Sequence, residues 1–290
     1  MRLHLIDGTY ELFRAHYSKR PDRTDHDGRD VKGTAGFVSS ILGLLAEEEV
    51  THVAVAFDNP IESFRNERFP GYKDSSGVDQ AILDQFDLVE DAAAALGLVV
   101  WSMVELEADD ALGAAAVRFV DAVDQVRIAT ADKDLAQVVD GDRIVQLDRR
   151  GDRVIDEAAV VERFGVGPAS IPDYLALVGD SADGIPGLPG FGAKTASGLL
   201  AVYGHIEDIP RDGAQWQADV RGAQRLAETL RERRDDALLY RELATLVTDW
   251  EPPQELEALA WDGVPRAEYL EMCDRLNVGA LRERPHRWQG

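Results

Sequence analysis

Cysteine is almost missing from this chain: Cys273 is the only one in 290 residues. No intrachain disulfide can form, which excludes a disulfide-stapled secreted scaffold and fits a cytoplasmic setting. Long apolar runs are missing as well. No stretch approaches the ~20 residues needed to cross a bilayer. The opening residues Met1-Arg2-Leu3-His4-Leu5-Ile6-Asp7 lack the apolar length and cleavage site of a signal peptide. No membrane partner is expected. Positive charge is also scarce. Five lysines and 26 arginines face 54 carboxylates, for a formal net charge of −23. A chain-wide basic footprint for nucleic acid is therefore absent. Any bound anion has to be held by local basic patches, backbone N–H groups or metal ions.

What the chain does have is apolar sequence and clustered acids. Hydrophobic residues make up 45%, enough for one large domain or two smaller ones. Glu107, Asp109, Asp110, Asp132 and Asp134 lie within 28 residues. An apolar strand candidate precedes each cluster, at 98–101 and 126–129. Carboxylates gathered at the ends of parallel strands repel one another unless cations hold them. Hard divalent cations with oxygen ligands are the simplest answer, and Mg²⁺ or Mn²⁺ is usual for phosphate chemistry. Either cluster alone reads more simply, one as a solvated helix start and the other as a loop. The metal reading depends on further acids arriving at the same place.

They do arrive. Residues 2–6 read as a strand ending in Asp7, and 52–57 as a strand ending in Asp58. Helices are expected at 10–17, 34–49 and 80–96. The alternation continues with strand 98–104, helix 107–123, strand 126–130, helix 133–139 and strand 143–147. Such alternation predicts an α/β fold with a mostly parallel central sheet flanked by helices. Sites in such sheets lie outside the carboxyl ends of the strands, where Asp7, Asp58, Glu107 and Asp132 all fall.

From about residue 156 the pattern turns helical. This predicts an α/β core over 1–155 and a helical region over 156–290. Short helices are expected at 157–164 and 172–178. Asp180 and Asp183 then precede a Gly- and Pro-rich stretch that runs into a helix at 193–203. Glycines at 187, 190 and 192 let backbone approach a phosphate closely, and the helix amino end near Lys194 and Thr195 supplies N–H donors. A helix-hairpin-helix element holds duplex backbone in this way, without reading sequence. Residues 211–290 read as mostly helical and carry no legible chemistry.

Several stretches together resemble one family. They are Leu5-Ile6-Asp7-Gly8-Thr9-Tyr10 with Arg14-Ala15, Phe57-Asp58 with Phe64-Arg65, Tyr72-Lys73, Glu107-Ala108-Asp109-Asp110, Asp132-Lys133-Asp134, and Gly179-Asp180 through Lys194-Thr195-Ala196. In this order they are similar to the bacterial 5′ nucleases, namely stand-alone flap endonucleases/5′–3′ exonucleases and the amino-terminal nuclease domain of DNA polymerase I. The match runs from residue 1 to about 205, and a stand-alone enzyme is expected.

The resemblance implies a PIN-like 5′ nuclease fold with an arch region at 61–96 and a helix–three-turn–helix at 172–203. It implies one divalent metal held by Asp7, Asp58, Glu107 and Asp109. A second is implied at Asp132, Asp134 and Asp180, with Asp110 and Asp183 in support. Asp7 and Asp132 are thereby implied in catalysis, and Arg65 and Lys73 as basic residues that steer the scissile phosphate. Phe13 takes the place of a base-stacking aromatic next to Arg14. A monovalent cation such as K⁺ is implied on main-chain carbonyls of Leu177, Val178, Pro186, Leu188 and Phe191. Two divalent ions ~3.5–4 Å apart can activate water, clamp a phosphodiester and stabilise the leaving oxygen.

The arch departs from the family pattern. Ser76 stands where an arginine is frequent, and Asp79, Asp84, Asp87, Glu90 and Asp91 would repel a threaded strand. The expected activity is two-metal hydrolysis of DNA at 5′ flaps and 5′ ends in replication or repair, by a monomer. An RNA-directed nuclease of similar fold and a catalytically weak DNA-junction binder are the alternatives.

Overall fold

The computed structural model describes residues 1–47, 50–149, 151 and 153–290. In chain order the strands and helices are β1 (Arg2–Asp7), α1 (Gly8–His16), α2 (Lys32–Leu45), β2 (His52–Asp58), α3 (Phe64–Arg68), α4 (Gln80–Leu83), α5 (Phe86–Ala95), β3 (Val99–Met103), α6 (Ala108–Phe119), β4 (Gln125–Ala129), β5 (Ile144–Asp148), β6 (Arg153–Ile155), α7 (Glu157–Phe164), α8 (Ile171–Val178), α9 (Ala193–Tyr203), α10 (Ala223–Glu232), α11 (Arg234–Ala244) and α12 (Arg266–Arg275). The expected helix over 34–49 overlaps α2, and its last two residues lie outside the described ones.

The chain forms two compact units. One comprises 1–62, 75–130 and 248–290. Its four strands are all parallel, in the order β3-β2-β1-β4. The register pairs Asp7 with Ala56, Asp58 with Met103 and Ile6 with Ala129, so all four strands end along one edge. Leu3, Leu5, Ile6, Val53–Ala56 and Ile128 are buried without polar alternation, as expected of strands covered on both faces. Helix α6 packs across all four strands. Its buried face is Ala111, Ala114, Ala115 and Ala116, small residues that let backbone approach backbone.

The other unit comprises 63–74 and 131–247. It contains the antiparallel pair β5–β6 and helices α3 and α7 to α11. Leu175, Leu177, Leu199, Leu200, Leu226, Leu230, Tyr240 and Leu243 form its core. The boundary expected at 155/156 falls inside this unit. The last 43 residues, 248–290, belong with the parallel strands instead. Trp261 Nε1 donates to Leu96 O at 3.0 Å, and the Trp250 ring lies edge-on to Trp101, 5.5 Å between centroids.

Three local expectations change. The helix expected over 80–96 is interrupted at Asp84-Gln85. Gln85 is fully buried there, and its Oε1 accepts from Thr34 N at 3.0 Å. That tertiary bond satisfies an orphan donor in the first turn of α2, which outweighs continuing the helix. The segment expected as a helix over 133–139 is a 3-10 turn, Asp134–Val138. Asp132 Oδ1 accepts from Asp134 N at 2.9 Å, and Gln137 is bound to Ala244 O and Leu246 N, so side chains fix the turn. The tail is less helical than expected. Three α-helices of 10, 11 and 10 residues lie beyond 211, separated by 3-10 turns and irregular chain.

Candidate metal centre and nucleic-acid interface

In the unit with the parallel strands, the acids stand at one sheet edge and are held by backbone. Asp7 ends β1 and caps α1. Its Oδ1 accepts from Tyr10 N at 2.8 Å and its Oδ2 from Thr130 Oγ1 at 2.8 Å. Asp58 ends β2. Its N–H donates to Thr9 Oγ1 and its Oδ1 accepts from Ala108 N, both at 2.8 Å. Glu107 opens α6, and its N–H donates to Asp110 Oδ2 at 2.9 Å, which makes the fully buried Asp110 a helix cap. Glu107 is buried and Asp109 half-buried. Strand register and capping thus deliver all five acids to one edge from three segments distant in sequence.

In the second unit the carboxylates converge. Oxygens of Asp134, Asp180 and Asp183 lie within 4.8 Å of one another, the only such group of three among the described residues. The loop that carries two of them is closed by a reciprocal backbone pair. Asp180 N donates to Ile185 O at 2.8 Å, and Ile185 N to Asp180 O at 2.7 Å. Gly184 lies inside that loop with φ +76°, and a Cβ there would sit 2.1 Å from Gly71 O. Only glycine lets the loop pack this closely on the chain leading to Lys73. Lys73 N donates to Asp183 O at 2.9 Å, and Lys73 Nζ stands 3.2 Å from Asp183 Oδ1. Lys133 pairs with Asp180. Its sequence position between two aspartates could have signalled that role.

The electrostatics favour a cation. Asp134 Oδ1 is buried with no hydrogen-bond partner among the described residues. Burial first, then the neighbouring Asp132 and Asp183 carboxylates, push the Asp134 carboxyl well above its ordinary range. Burial also raises Asp132, helped by Asp183 and opposed by the Asp134 N–H. Burial alone would lower Lys133, but Asp180 and Asp134 outweigh it and hold the ammonium charged. Three convergent hard oxygens, one of them unpartnered, fit a divalent ion such as Mg²⁺ or Mn²⁺. Asp132 stands beside this trio and orients Asp134 through its backbone.

Arg65 requires a correction. It is 2% exposed, and its Nε and Nη2 donate to Leu243 O at 2.8 Å and Thr245 O at 3.0 Å. It satisfies the terminal carbonyls of α11 rather than facing a phosphate. No local pattern signals this role, because the partners lie 178 and 180 residues away. Phe13 is half-buried between Tyr17 and Phe86, with both ring centroids at 6.3 Å. Arg14 Nη2 pairs with Glu11 and donates to Ser40 Oγ at 2.8 Å.

The Gly-rich segment joins α8 to α9. Gly187 has φ +70°, and a Cβ there would lie 2.6 Å from Val178 O. Leu177 O accepts from Leu188 N at 2.8 Å, and Leu188 O from Phe191 N at 3.1 Å. Leu177, Leu188 and Phe191 are buried, and Val178 packs at the edge of the same core. Pro186 O lies 2.8 Å from where a Cβ of Gly179 would stand, so these carbonyls gather around one crowded turn. Gly190 and Gly192 are exposed at the loop tip. Gly192 caps α9 with no side-chain bond to its first N–H groups. Lys194 is exposed and Thr195 half-buried in that first turn.

Residues 2–165 match a family model described as 5′-3′ exonuclease, N-terminal resolvase-like domain, and residues 166–267 one described as 5′-3′ exonuclease, C-terminal SAM fold. DNA polymerase I of Pseudomonas aeruginosa is 36% identical over 275 residues, 92% of this chain and 29% of that protein. DNA polymerase I of Mycobacterium leprae is 33% identical over 287 residues, 97% of this chain and 31% of that protein. The chain thus spans under a third of the length of these curated relatives. A solved structure of bacteriophage T5 D15 flap endonuclease, in a pseudo-enzyme-product complex with DNA and metal ions, aligns with TM-score 0.67 at 20% identity, over 86% of this chain and 90% of that one. The catalytic core of Rad2 in complex with DNA substrate aligns with TM-score 0.60 at 14% identity, over 94% of this chain and 86% of that one. At such identities the likeness is one of fold.

Proposed function

Because the chain belongs to the 5′–3′ exonuclease family, we propose that it is a metal-dependent nuclease that hydrolyses DNA phosphodiesters at 5′ flaps and 5′ ends. The observation that carries this reading is the convergence of Asp134, Asp180 and Asp183 around one unpartnered buried oxygen. These three, with Asp132 beside them, would hold one divalent ion. Asp7, Asp58, Glu107 and Asp109, with Asp110 as the cap, would hold another. Bound Mg²⁺ or Mn²⁺ supplies a nucleophilic water near neutral pH and charge stabilisation at the phosphoryl oxygens. No histidine or serine nucleophile is needed.

The protein groups bind and orient. Lys73, tied to Asp183, places a positive charge beside the acids and offsets part of their repulsion for a phosphate. The open N–H groups after Gly192, with Lys194 and Thr195, hold duplex backbone through the helix dipole. A K⁺ ion on the carbonyls of Leu177, Val178, Pro186, Leu188 and Phe191 would stiffen that turn. Phe13 and Arg14 would meet the nucleotide next to the cut. The protein is proposed to work as a monomer in the cytoplasm, in replication or repair. No helix among the described residues is long and apolar enough to cross a membrane.

The test is turnover of matched DNA and RNA 5′-flap duplexes in Mg²⁺ and in Mn²⁺. Faster cutting of the DNA flap is expected. Preference for RNA would favour the RNA-directed alternative, and binding without turnover the junction binder.

A further inference from the structure

Buried polar groups are almost always hydrogen-bonded, so one left without a partner calls for a reason. In the second unit three buried side-chain oxygens have no hydrogen bond among the described residues: Asp134 Oδ1, Asp180 Oδ2 and Gln146 Oε1. The first two belong to the convergent acids, and Asp180 also pairs with Lys133. Gln146 belongs to neither group. It lies mid-strand in β5, 1% exposed, in the run Ile144-Val145-Gln146-Leu147. An apolar side chain there would bury equally well and leave no orphan oxygen. The amide makes one bond, from Gln146 Nε2 to Asp132 O. Only its N–H₂ end can donate to a carbonyl, which fixes the end that faces Asp132. Two further bonds continue from there. Asp132 Oδ1 accepts from Asp134 N at 2.9 Å, and Gln137 Nε2 donates to Asp134 O at 2.8 Å. Two glutamines thus hold the two aspartate carbonyls of this turn. Gln137 is fully used, since its Oε1 accepts from Leu246 N and its Nε2 also reaches Ala244 O, both at 3.0 Å. Gln146 makes no second side-chain hydrogen bond among the described residues.

We propose that Gln146 is a positioning residue for the acid site, one that fixes the Asp132–Lys133 peptide so that Asp132 and Asp134 present their carboxylates to a divalent ion. The inference rests on the metal-dependent nuclease reading above. The Asp132 carbonyl and the Lys133 N–H belong to one planar unit. Rotating that plane would draw the Asp132 carboxylate off Asp134 N and shift the stem of Lys133, whose ammonium pairs with Asp180. Repulsion among Asp134, Asp180 and Asp183 favours such a movement, and one amide on a buried strand opposes it. Groups that hold a ligand in its orientation tune affinity for the ion without touching it. This role accounts for a polar side chain kept in an apolar strand with its oxygen unused.

The experiment is a calorimetric Mn²⁺ titration of the whole chain, with melting in EDTA alongside. The proteins are wild type, Gln146→Met, Gln146→Leu, Gln137→Met and Asp134→Asn. Asp134→Asn marks which bound ion belongs to this site. Both Gln146 variants should bind that ion about tenfold more weakly. The Mn²⁺ needed for half-maximal flap cleavage should rise by a similar factor, with KM for the flap unchanged. In EDTA Gln146→Met should melt close to wild type, because the unpartnered oxygen is lost together with the bond. Gln137→Met gives up the bonds to Asp134 O, Ala244 O and Leu246 N and should melt clearly lower. The proposal is overturned if Gln146→Met binds that ion as tightly as wild type does. It is equally overturned if both Gln146 variants melt as low as Gln137→Met or fail to fold, since Gln146 would then serve the fold. A wild type that binds no Mn²⁺ overturns the metal reading itself, and this proposal with it.

Discussion

Replacing Asp134 by Asn should strengthen the metal-free protein and weaken the metal-loaded one. Oxygens of Asp134, Asp180 and Asp183 lie within 4.8 Å of one another. At that distance and an effective dielectric of ~20, each like-charge pair costs about 3.5 kcal/mol. Lys133 and Lys73 offset part of this through Asp180 and Asp183, and the raised pKa of Asp134 shows that repulsion and burial still prevail. Asn keeps the shape, removes one charge and offers an N–H₂ donor to the remaining carboxylates. A gain of about 1–2 kcal/mol in metal-free stability is expected, or roughly 2–6 °C in melting temperature.

The sign with pH follows from the same shift. The folded carboxyl titrates above the ordinary 3.8, so wild-type stability falls as pH rises from that value through the folded pKa. The advantage of Asn should accordingly vanish below about pH 4 and be complete only above the folded pKa. Divalent ions reverse the order. At a hundred times its dissociation constant a bound ion stabilises wild type by about 2.7 kcal/mol, and a variant lacking one of three ligands gains much less. Calorimetric melting in EDTA and in Mn²⁺ measures both halves. A variant that melts lower than wild type in EDTA, or gains the same increment in Mn²⁺, would refute the reasoning.

Arg65→Met should act on stability, since two terminal carbonyls of α11 lose a charged donor. A loss of about 2–4 kcal/mol is expected, read as a lower melting temperature with or without DNA. Lys73→Ala should slow single-turnover cleavage by about 10²-fold while flap affinity stays within about twofold. A rate within twofold of wild type would leave Lys73 as a neutraliser of Asp183 only. Asp132→Ala should abolish cleavage and leave duplex binding largely intact, because the proposed duplex grip lies around Gly187–Lys194. Near-wild-type turnover at saturating metal would remove Asp132 from the machinery.

Much of the fold was legible in the sequence because strand and helix periods alternate cleanly up to residue 148. Asp7 and Asp58 could be placed at strand ends because their strands are unbroken apolar runs. Acid convergence in the second unit was partly legible, since Asp180 and Asp183 sit at fixed spacing before a Gly-rich loop. What brings them to Asp134 is the Asp180–Ile185 backbone pair and the close pass of Gly184 over Gly71, neither of which has a local pattern.

The missed features share one cause, bonds between residues remote in sequence. Gln85 breaks a helix to reach Thr34, and Arg65 turns inward to reach Leu243 and Thr245. Trp261 ties the tail to Leu96. The short strand β6, three residues long, was not expected, since so short a run carries no period of its own.

The most direct test of the central claim, that these acids hold divalent ions for phosphodiester hydrolysis, is cleavage of a 5′-flap DNA duplex by the purified chain across a Mn²⁺ titration against EDTA. Cleavage should be absent in EDTA, rise with Mn²⁺ to saturation, and collapse in Asp134→Asn at every concentration. Cutting that persists in EDTA, or a wild type inert in Mn²⁺ and Mg²⁺ alike, would contradict it.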